Sequence, residues 1–215
     1  MINNDFVKKI FADAINKFGL EGTITNSIII IGIIMIYTYV IYNFINAKFR
    51  KEKKKKEVKS IVETASMSAF FILIAIIVNL KIGTFNYHNL YINIIFLIIF
   101  IIGVITNLLG RYYLGNNWGN NIVIYTDHTL VNKGVYRIIR HPLYGSIIWM
   151  IYSIGIIKSN YLAIILNTII FIPFMYYRAK QEEKELKKNF KEYNKYIERT
   201  GMFFPNIIKM NKKEK

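Results

Sequence analysis

The stretch LYINIIFLIIFIIGVITNLL, residues 90–109, decides the fold because its twenty residues include no charged side chain. A helix needs roughly 20 apolar residues to cross the hydrocarbon core of a membrane, which is about 30 Å thick. The charge-free region around this stretch extends from residue 82 to residue 110. The sequence therefore predicts a transmembrane helix here.

Other apolar blocks lie on both sides of this stretch. They share the absence of charged residues and cover residues 22–47, 64–80, 142–157 and 159–177. Only Lys158 separates the last two, so we expect them to form a helical hairpin with a turn at Lys158, Ser159 and Asn160. The fourth block is short, since 16 residues reach only about 24 Å as a helix. We predict an all-α integral membrane protein with about five transmembrane helices.

The distribution of basic residues predicts the orientation of these helices. The net charge is +16, and lysines and arginines are concentrated between blocks one and two, between blocks three and four, and after residue 177. The positive-inside rule then places the N-terminus outside and the C-terminus in the cytosol. Basic runs that flank apolar helices favour anionic membrane lipids as partners and argue against nucleic acid. The abundance of Ile, Asn and Lys favours an AT-rich genome, and so a bacterial plasma membrane.

The first cytosolic stretch that differs from an ordinary connection covers residues 111–144. It contains DHTLVNKGVYRIIRHPLY and is too long and too rich in His, Tyr, Gly and Arg for a simple turn. Gly134 suits a turn with positive φ. Proline pushes the residue before it out of helical geometry, so a helix should begin at Pro142. Arg140 and His141 would then lie at a helix N-terminus, which favours an anion.

The second unusual stretch is YYRAKQEEKELKKNFKEYNKYIERTGMFFPN, residues 176–206. Apolar residues recur there at helical spacing, at Leu186, Phe190, Tyr193 and Ile197. This pattern predicts one amphipathic cytosolic helix that continues the fifth span. Arg178 and Glu182 stand one turn apart on roughly the same face. An exposed ion pair is the simpler alternative, but a polar pair facing inward at the membrane boundary favours a functional site.

GVYRIIRHPLY, residues 134–144, resembles the signature G-x-Y-x-x-x-R-H-P-x-Y of the isoprenylcysteine carboxyl methyltransferase and phospholipid methyltransferase superfamily. HTLV at 128–131 and the R-x-x-x-E motif at Arg178 and Glu182 match that family too. The resemblance covers residues 114–205, and the first two spans match only in kind. One departure is Phe190-Lys191-Glu192-Tyr193, where the family usually has F-G-x-x-Y.

The resemblance implies a site for S-adenosylmethionine without a Rossmann domain. It implies that the cofactor would contact Asn121, His128, Thr129, Leu130, Val131, Tyr136, His141, Pro142, Leu143, Tyr144 and Glu182. It further implies that Arg178 holds the acceptor, and that Arg178, Glu182 and Arg140 are catalytic. Aromatic rings and a carboxylate suit the sulfonium cation of this cofactor, and a helix N-terminus suits its carboxylate. The chain has no cysteine and no cluster of metal ligands, so no metal is expected.

The function implied is methyl transfer from S-adenosylmethionine to a lipophilic acceptor at the cytosolic membrane face. A prenylcysteine-type carboxylate is the first choice, because a carboxylate nucleophile needs no general base. A phospholipid amine and a small thiol also fit the motifs. An NADPH-dependent membrane sterol or enone reductase shares the R-H-P-x-Y turn, but such enzymes usually have Asn where this chain has Leu143. A non-catalytic membrane scaffold is the remaining alternative.

We divide the chain into four parts on these grounds. Residues 1–21 form an N-terminal amphipathic segment at the membrane surface, with a plain N-terminal extension as the alternative. Residues 22–110 hold three transmembrane helices with a polybasic cytosolic loop at 48–59. Residues 111–205 form the catalytic region, with the cofactor loop, the helical hairpin and the C-terminal helix. Residues 206–215 form a basic tail.

Overall fold

The chain is mostly helical in the computed structural model, which describes residues 4–49, 54–58, 64–119 and 121–206. The helices are α1 (Asn4–Phe49), α2 (Thr64–Asn79), α3 (Leu90–Leu114), α4 (Pro142–Ile157), α5 (Tyr161–Leu166), α6 (Ile172–Asn189) and α7 (Tyr193–Arg199). A π-helical segment, Asn167–Phe171, joins α5 to α6. Short 3-10 helices cover Gly115–Asn117 and Gly134–Arg137. Two strands, β1 (Lys54–Val58) and β2 (Ile122–Tyr125), pair in antiparallel fashion.

Three helical stretches in the described part of the chain are long and apolar enough to cross a membrane. They cover Phe18–Ala47, Leu90–Asn117 and Tyr161–Asn189. Two shorter apolar helices, Ser66–Asn79 and Pro142–Ile157, coincide with the second and fourth predicted spans. The count of five spans stays a prediction, because the shorter helices need a locally thin bilayer or cover from their neighbours.

The helices pack through small residues at their crossings. A Cβ atom on Gly103 of α3 would lie 2.7 Å from Met150 of α4, and one on Gly32 of α1 would lie 2.9 Å from the ring of Phe100. Phe100, Met150 and neighbouring isoleucines form the buried core. Many isoleucines on the outer faces are exposed, as expected of helices that face lipid.

A tight turn separates α4 from α5. Ser159 has a φ of 47°, and the side chain of Asn160 accepts a hydrogen bond of 2.8 Å from the amide of Ala163 at the start of α5. The Asn160 side chain also donates to the carbonyl of Ile82, at 2.9 Å. The turn is therefore at the residues that the sequence predicted, and it is tied to the connection between α2 and α3.

The prediction of one continuous C-terminal helix is wrong. Helix α6 ends at Asn189, Phe190 adopts an extended conformation, and α7 begins at Tyr193. The apolar stripe was correctly recognised, but its members do not lie on one straight helix. The break turns Tyr193 back towards the protein, where its side chain is buried.

The expectation of an all-α protein is also wrong in one detail. Part of the predicted polybasic loop, Lys54–Val58, forms β1, and Val58 is the register partner of Ile122 in β2. The β-branched sequence of residues 122–124 suits a strand. The N-terminal segment is helical and continues into the first span, with a break at Gly19, which has a φ of 72°. Residues 50–53, 59 and the tail from 207 lie outside the described residues.

Candidate functional site

An open cavity of about 1100 Å³, including space open to solvent, lies where the motif regions meet. Its walls come from the C-terminal end of α3, from β2 and the segment after it, and from α4, α6 and α7. Every site residue that the sequence predicted lines it: Asn121, His128, Thr129, Leu130, Val131, Tyr136, Arg140, His141, Pro142, Leu143, Tyr144, Arg178 and Glu182. The fold thus gathers residues from two stretches that are separated by two apolar helices.

Gly134 allows the segment after β2 to reach this cavity. Its φ is +58°, and a Cβ atom there would lie 2.1 Å from the ring of Tyr113. This confirms the predicted positive-φ turn. The carbonyl of Tyr136, two residues later, accepts a hydrogen bond of 2.7 Å from the hydroxyl of Tyr196. Burial raises the pKa of Tyr136, so this phenol stays neutral.

Helix α4 begins at Pro142, as predicted, with His141 as its N-cap residue. The amides of Arg140 and His141 donate to the carbonyls of Gly201 and Met202, at 2.8 and 3.1 Å. Gly145 permits this approach, because a Cβ atom there would lie 2.5 Å from the carbonyl oxygen of Phe203. The end of the chain therefore holds the helix N-terminus in place beside the cavity.

His141 lies between two carboxylates of α6. Its Nδ1 atom is 3.5 Å from Glu182 and its Nε2 atom is 3.4 Å from Glu183. Burial alone would lower the pKa of His141, but hydrogen bonds with these glutamates and their negative charges outweigh that effect, and the pKa is raised. A protonated His141 donates to both carboxylates.

Arg178, Tyr144 and Glu182 form a second part of the same network. Arg178 Nε donates to the Tyr144 hydroxyl at 2.7 Å and lies 3.4 Å from Glu182. The Tyr144 hydroxyl in turn donates to Glu182, and the Tyr144 ring stacks on His141 with 5.6 Å between centroids. The side chain of Arg178 is 3% exposed. The structure therefore joins Arg178 to Tyr144 and Glu182, two residues of the predicted cofactor site.

Arg140 also lines the cavity, but its guanidinium is engaged. Its Nε atom lies 2.9 Å from Glu183, and its Nη1 atom donates to the carbonyls of Thr200 and Ile197. These contacts indicate that Arg140 positions the C-terminal segment. A catalytic role for Arg140 stays a prediction.

Sequence reasoning missed Arg111, which is buried at the C-terminal end of α3. Its Nε atom donates to Asn107 at 2.9 Å, whereas its Nη1 atom is buried without a hydrogen-bond partner among the residues that the structure describes. The sequence analysis counted Arg111 only as a positive-inside residue. A signal was present, because Arg111 directly follows the charge-free region that ends at residue 110.

Aromatic residues of the cavity were also missed. Trp118, Tyr193 and Tyr196 line it together with the predicted Tyr136 and Tyr144. Burial raises the pKa of Tyr193 and Tyr196, so both phenols stay neutral. Tyr193 and Tyr196 reach the cavity only because the chain turns after α6, a break that the helical spacing did not predict.

A second cavity, of about 520 Å³, lies among helices α1 to α4. Its walls are almost entirely apolar and include Tyr37, Phe71 and Phe100. Three residues line both cavities: Met67, Arg111 and Ile147. Arg111 therefore stands where a polar space and an apolar space meet.

The fold and the site together define a helical membrane protein with a buried ionic network beside a polar cavity and an apolar one. Residues 95–188 match the model of the isoprenylcysteine carboxyl methyltransferase family. This match covers less than half of the chain and supports the resemblance seen in its motifs.

Two curated relatives carry corresponding names. The chain is 26% identical over 132 residues to protein-S-isoprenylcysteine O-methyltransferase of Saccharomyces cerevisiae, which covers 60% of this chain and 55% of the yeast protein. It is 29% identical over 121 residues to the probable protein-S-isoprenylcysteine O-methyltransferase of Oryza sativa subsp. indica, over 54% of this chain and 63% of the rice protein. The matches thus span little more than half the length of these relatives.

One solved structure has a similar fold. It is described as the eukaryotic intramembrane Ras methyltransferase, isoprenylcysteine carboxyl methyltransferase, without a monobody. The TM-score is 0.54 at 17% identity, and the match covers 94% of this chain and 83% of the other. At this identity the likeness establishes the fold alone.

Proposed function

We propose that this protein is a membrane methyltransferase that uses S-adenosylmethionine to methylate the carboxylate of a lipophilic, prenylcysteine-type acceptor at the cytosolic face. The observation that carries the proposal is the position of Arg111 between the two cavities. Its Nη1 atom has no hydrogen-bond partner in the described part of the chain, so this buried guanidinium can donate to a carboxylate. The adjoining apolar cavity suits the acceptor's lipid tail.

The residues of the larger cavity fit S-adenosylmethionine. The neutral rings of Tyr136, Tyr193 and Tyr196 and the carboxylate of Glu182 suit a sulfonium cation. The positive N-terminal end of α4 suits the carboxylate of the cofactor's amino-acid part, while His141 is held between Glu182 and Glu183. When bound, the cofactor supplies the methyl group: a C–O bond to the acceptor forms as the sulfonium C–S bond breaks, leaving a neutral thioether and a neutral ester.

The chain's own residues then have to orient and desolvate the acceptor. Arg111 would hold the carboxylate by charge-assisted hydrogen bonds, and its fixed side chain would limit the directions from which an oxygen can react. Burial excludes water, which favours a step in which charge is neutralised. No proton has to move, so no general base is needed.

Arg178 takes a different role in this proposal from the one that the family resemblance implies. Its guanidinium is bound to Tyr144 and Glu182, so it would orient the Glu182 carboxylate towards the cofactor. Arg111 would take the acceptor. Loss of Arg178 should consequently weaken cofactor binding more than it raises the KM for the acceptor.

The experiment incubates the purified protein with methyl-labelled S-adenosylmethionine and three acceptors: an S-farnesylated N-acetylcysteine, phosphatidylethanolamine and a small thiol. Label in a base-labile ester of the first acceptor is expected. If label appears only on the amine or only on the thiol, that compound is the acceptor and the carboxylate is not. NADPH oxidation without methyl transfer would support the reductase alternative.

The variant Arg111→Gln tests whether Arg111 holds the carboxylate of the acceptor. Loss of one charge-assisted hydrogen bond costs roughly 1.5–3 kcal/mol, so the KM for the acceptor should rise about 10- to 150-fold. Cofactor affinity should stay within about twofold. Arg137→Gln is the matched control, since Arg137 is exposed on the same side of the protein. An unchanged KM in Arg111→Gln contradicts the assignment.

A further inference from the structure

The apolar cavity has two ends, which are defined along α3. Arg111 lies at one end and Phe100 lines the other, eleven residues earlier in the same helix. At about 1.5 Å per residue, they are roughly 16 Å apart along the helix axis. The cavity is therefore long and directed from the ionic site into the apolar part of the protein.

Contacts between α1 and α3 place the other wall residues along this axis. Phe44 packs on Trp118 with 5.2 Å between ring centroids, and Gly32 approaches Phe100 and Val104. The contacts rise together along both helices, so α1 and α3 run in the same direction. Ile33 lies at the level of Phe100, and Val40 lies nearer Arg111.

Phe100 closes the end away from Arg111. Its side chain is 1% exposed, and the backbone of α1 packs directly against it, because a Cβ atom on Gly32 would lie 2.9 Å from the ring. A ring held by the main chain of a neighbouring helix has little room to move aside. Dense packing of this kind resists an added group.

We propose that Phe100 sets the maximum length of the acceptor's apolar tail, so that the protein prefers a farnesyl tail over a geranylgeranyl tail. This inference rests on the proposed function. A tail anchored at Arg111 by its carboxylate end has to terminate before the Phe100 ring. A longer tail would displace the ring or pull the carboxylate away from Arg111.

The test compares kcat/KM for S-farnesyl and S-geranylgeranyl N-acetylcysteine in the wild type and in Phe100→Ala. The ratio of the longer to the shorter acceptor should be below one in the wild type and rise at least about tenfold in the variant, in line with the discrimination that apolar pockets achieve. Phe174→Ala, which removes an exposed phenylalanine, should leave the ratio unchanged.

A second variant acts in the opposite direction and does not open a hole in the core. Ile36 lines the cavity one turn closer to Arg111 than Ile33, so Ile36→Phe should shorten the cavity and lower the ratio further. A rise of the ratio in Phe100→Ala, with cofactor affinity retained, supports Phe100 as the length limit. A fall of the ratio in Ile36→Phe, with cofactor affinity retained, supports the length of the cavity as the limit.

Three results are distinguishable. A wild type that methylates both tails equally well overturns the length limit. Variants with native cofactor affinity and an unchanged ratio overturn it too. A wild type that methylates neither acceptor contradicts the proposed function itself.

Discussion

Arg140 Nε lies 2.9 Å from an oxygen of Glu183, and both side chains are almost fully buried. This ion pair connects the segment before α4 to the middle of α6. Arg140 also donates to carbonyls of the C-terminal segment, so three parts of the chain meet at one guanidinium. Because neither charge faces open solvent, removal of one partner takes a buried ionic contact from the other, and His141 remains 3.4 Å from Glu183.

Arg140→Met should therefore destabilise the protein by about 3–5 kcal/mol. Glu183→Gln should cost a similar amount, and the double variant should cost less than the two single changes together. Thermal unfolding in detergent, followed by tryptophan fluorescence, measures this. Arg199→Met, at an exposed position at the end of α7, is the control. Additive effects would contradict a shared buried pair.

Glu182→Gln should weaken S-adenosylmethionine binding with little loss of stability, because Glu182 lines the cavity and is more exposed than Glu183. The expected cost is roughly 1.5–3 kcal/mol for one charge-assisted contact. Isothermal titration calorimetry with the cofactor gives the affinity. Glu198→Gln, an exposed change on α7, should leave it unaltered. Equal cofactor affinities in the wild type and in Glu182→Gln would show that Glu182 does not bind the cofactor.

Stability should fall with rising pH because of His141. Its pKa is raised in the folded protein, so its contribution is fully present below the unfolded pKa of about 6.5 and is lost as the pH rises through the folded value. The melting temperature of wild type should therefore decline from about pH 6.5 upward more steeply than that of His141→Gln. His88→Gln, at a histidine whose side chain is 67% exposed, should follow the wild type. Parallel curves for wild type and His141→Gln would refute this role.

Asn107 should affect the acceptor through Arg111. Its amide accepts from Arg111 Nε and donates to Ser146 Oγ at 2.8 Å, so it fixes the direction of the guanidinium. Asn107→Leu should raise the KM for the acceptor about tenfold, while cofactor affinity changes less than twofold. Ser153→Ala, at a buried serine that bonds only within α4 in the contacts described, is the control. Equal losses of both affinities would point to a general structural defect.

The predicted orientation can be tested directly, because the chain has no cysteine of its own. Single cysteines at Lys55 and Lys212 should resist a membrane-impermeant thiol reagent in intact cells, since the positive-inside rule places both in the cytosol. His88→Cys, on the opposite side, should react without lysis. Labelling of Lys55→Cys or Lys212→Cys in intact cells would reverse the topology.

Local features of the sequence were predicted well, since their causes are local. Pro142 starts a helix because its ring has no amide hydrogen to donate and restricts the residue before it. Gly134 can adopt its positive φ because it has no Cβ atom, and a side chain there would also collide with Tyr113. Arg178 and Glu182 face the same side because they are one helical turn apart.

Features that depend on distant contacts were missed or mistaken. The stripe from Leu186 to Ile197 has helical spacing, but the chain leaves the helix at Phe190, and Tyr193 is buried after this change of direction. The strand at residues 54–58 depends on pairing with β2, about 65 residues later, which no local pattern specifies.

The sequence by itself determined that apolar helices dominate this protein and where its helix starts and turns fall, because charge-free length, proline, glycine and helical spacing act over a few residues. Only the tertiary structure decided what each charge does. Arg111, Arg140 and Arg178 are the same residue type at the ends of apolar helices, yet Arg140 binds Glu183, Arg178 binds Tyr144 and Glu182, and Arg111 keeps a buried donor between two cavities. Tyr144 and Glu183 come from other helices than the segments that carry Arg178 and Arg140, and a buried charge takes its role from whichever partner the fold brings within reach.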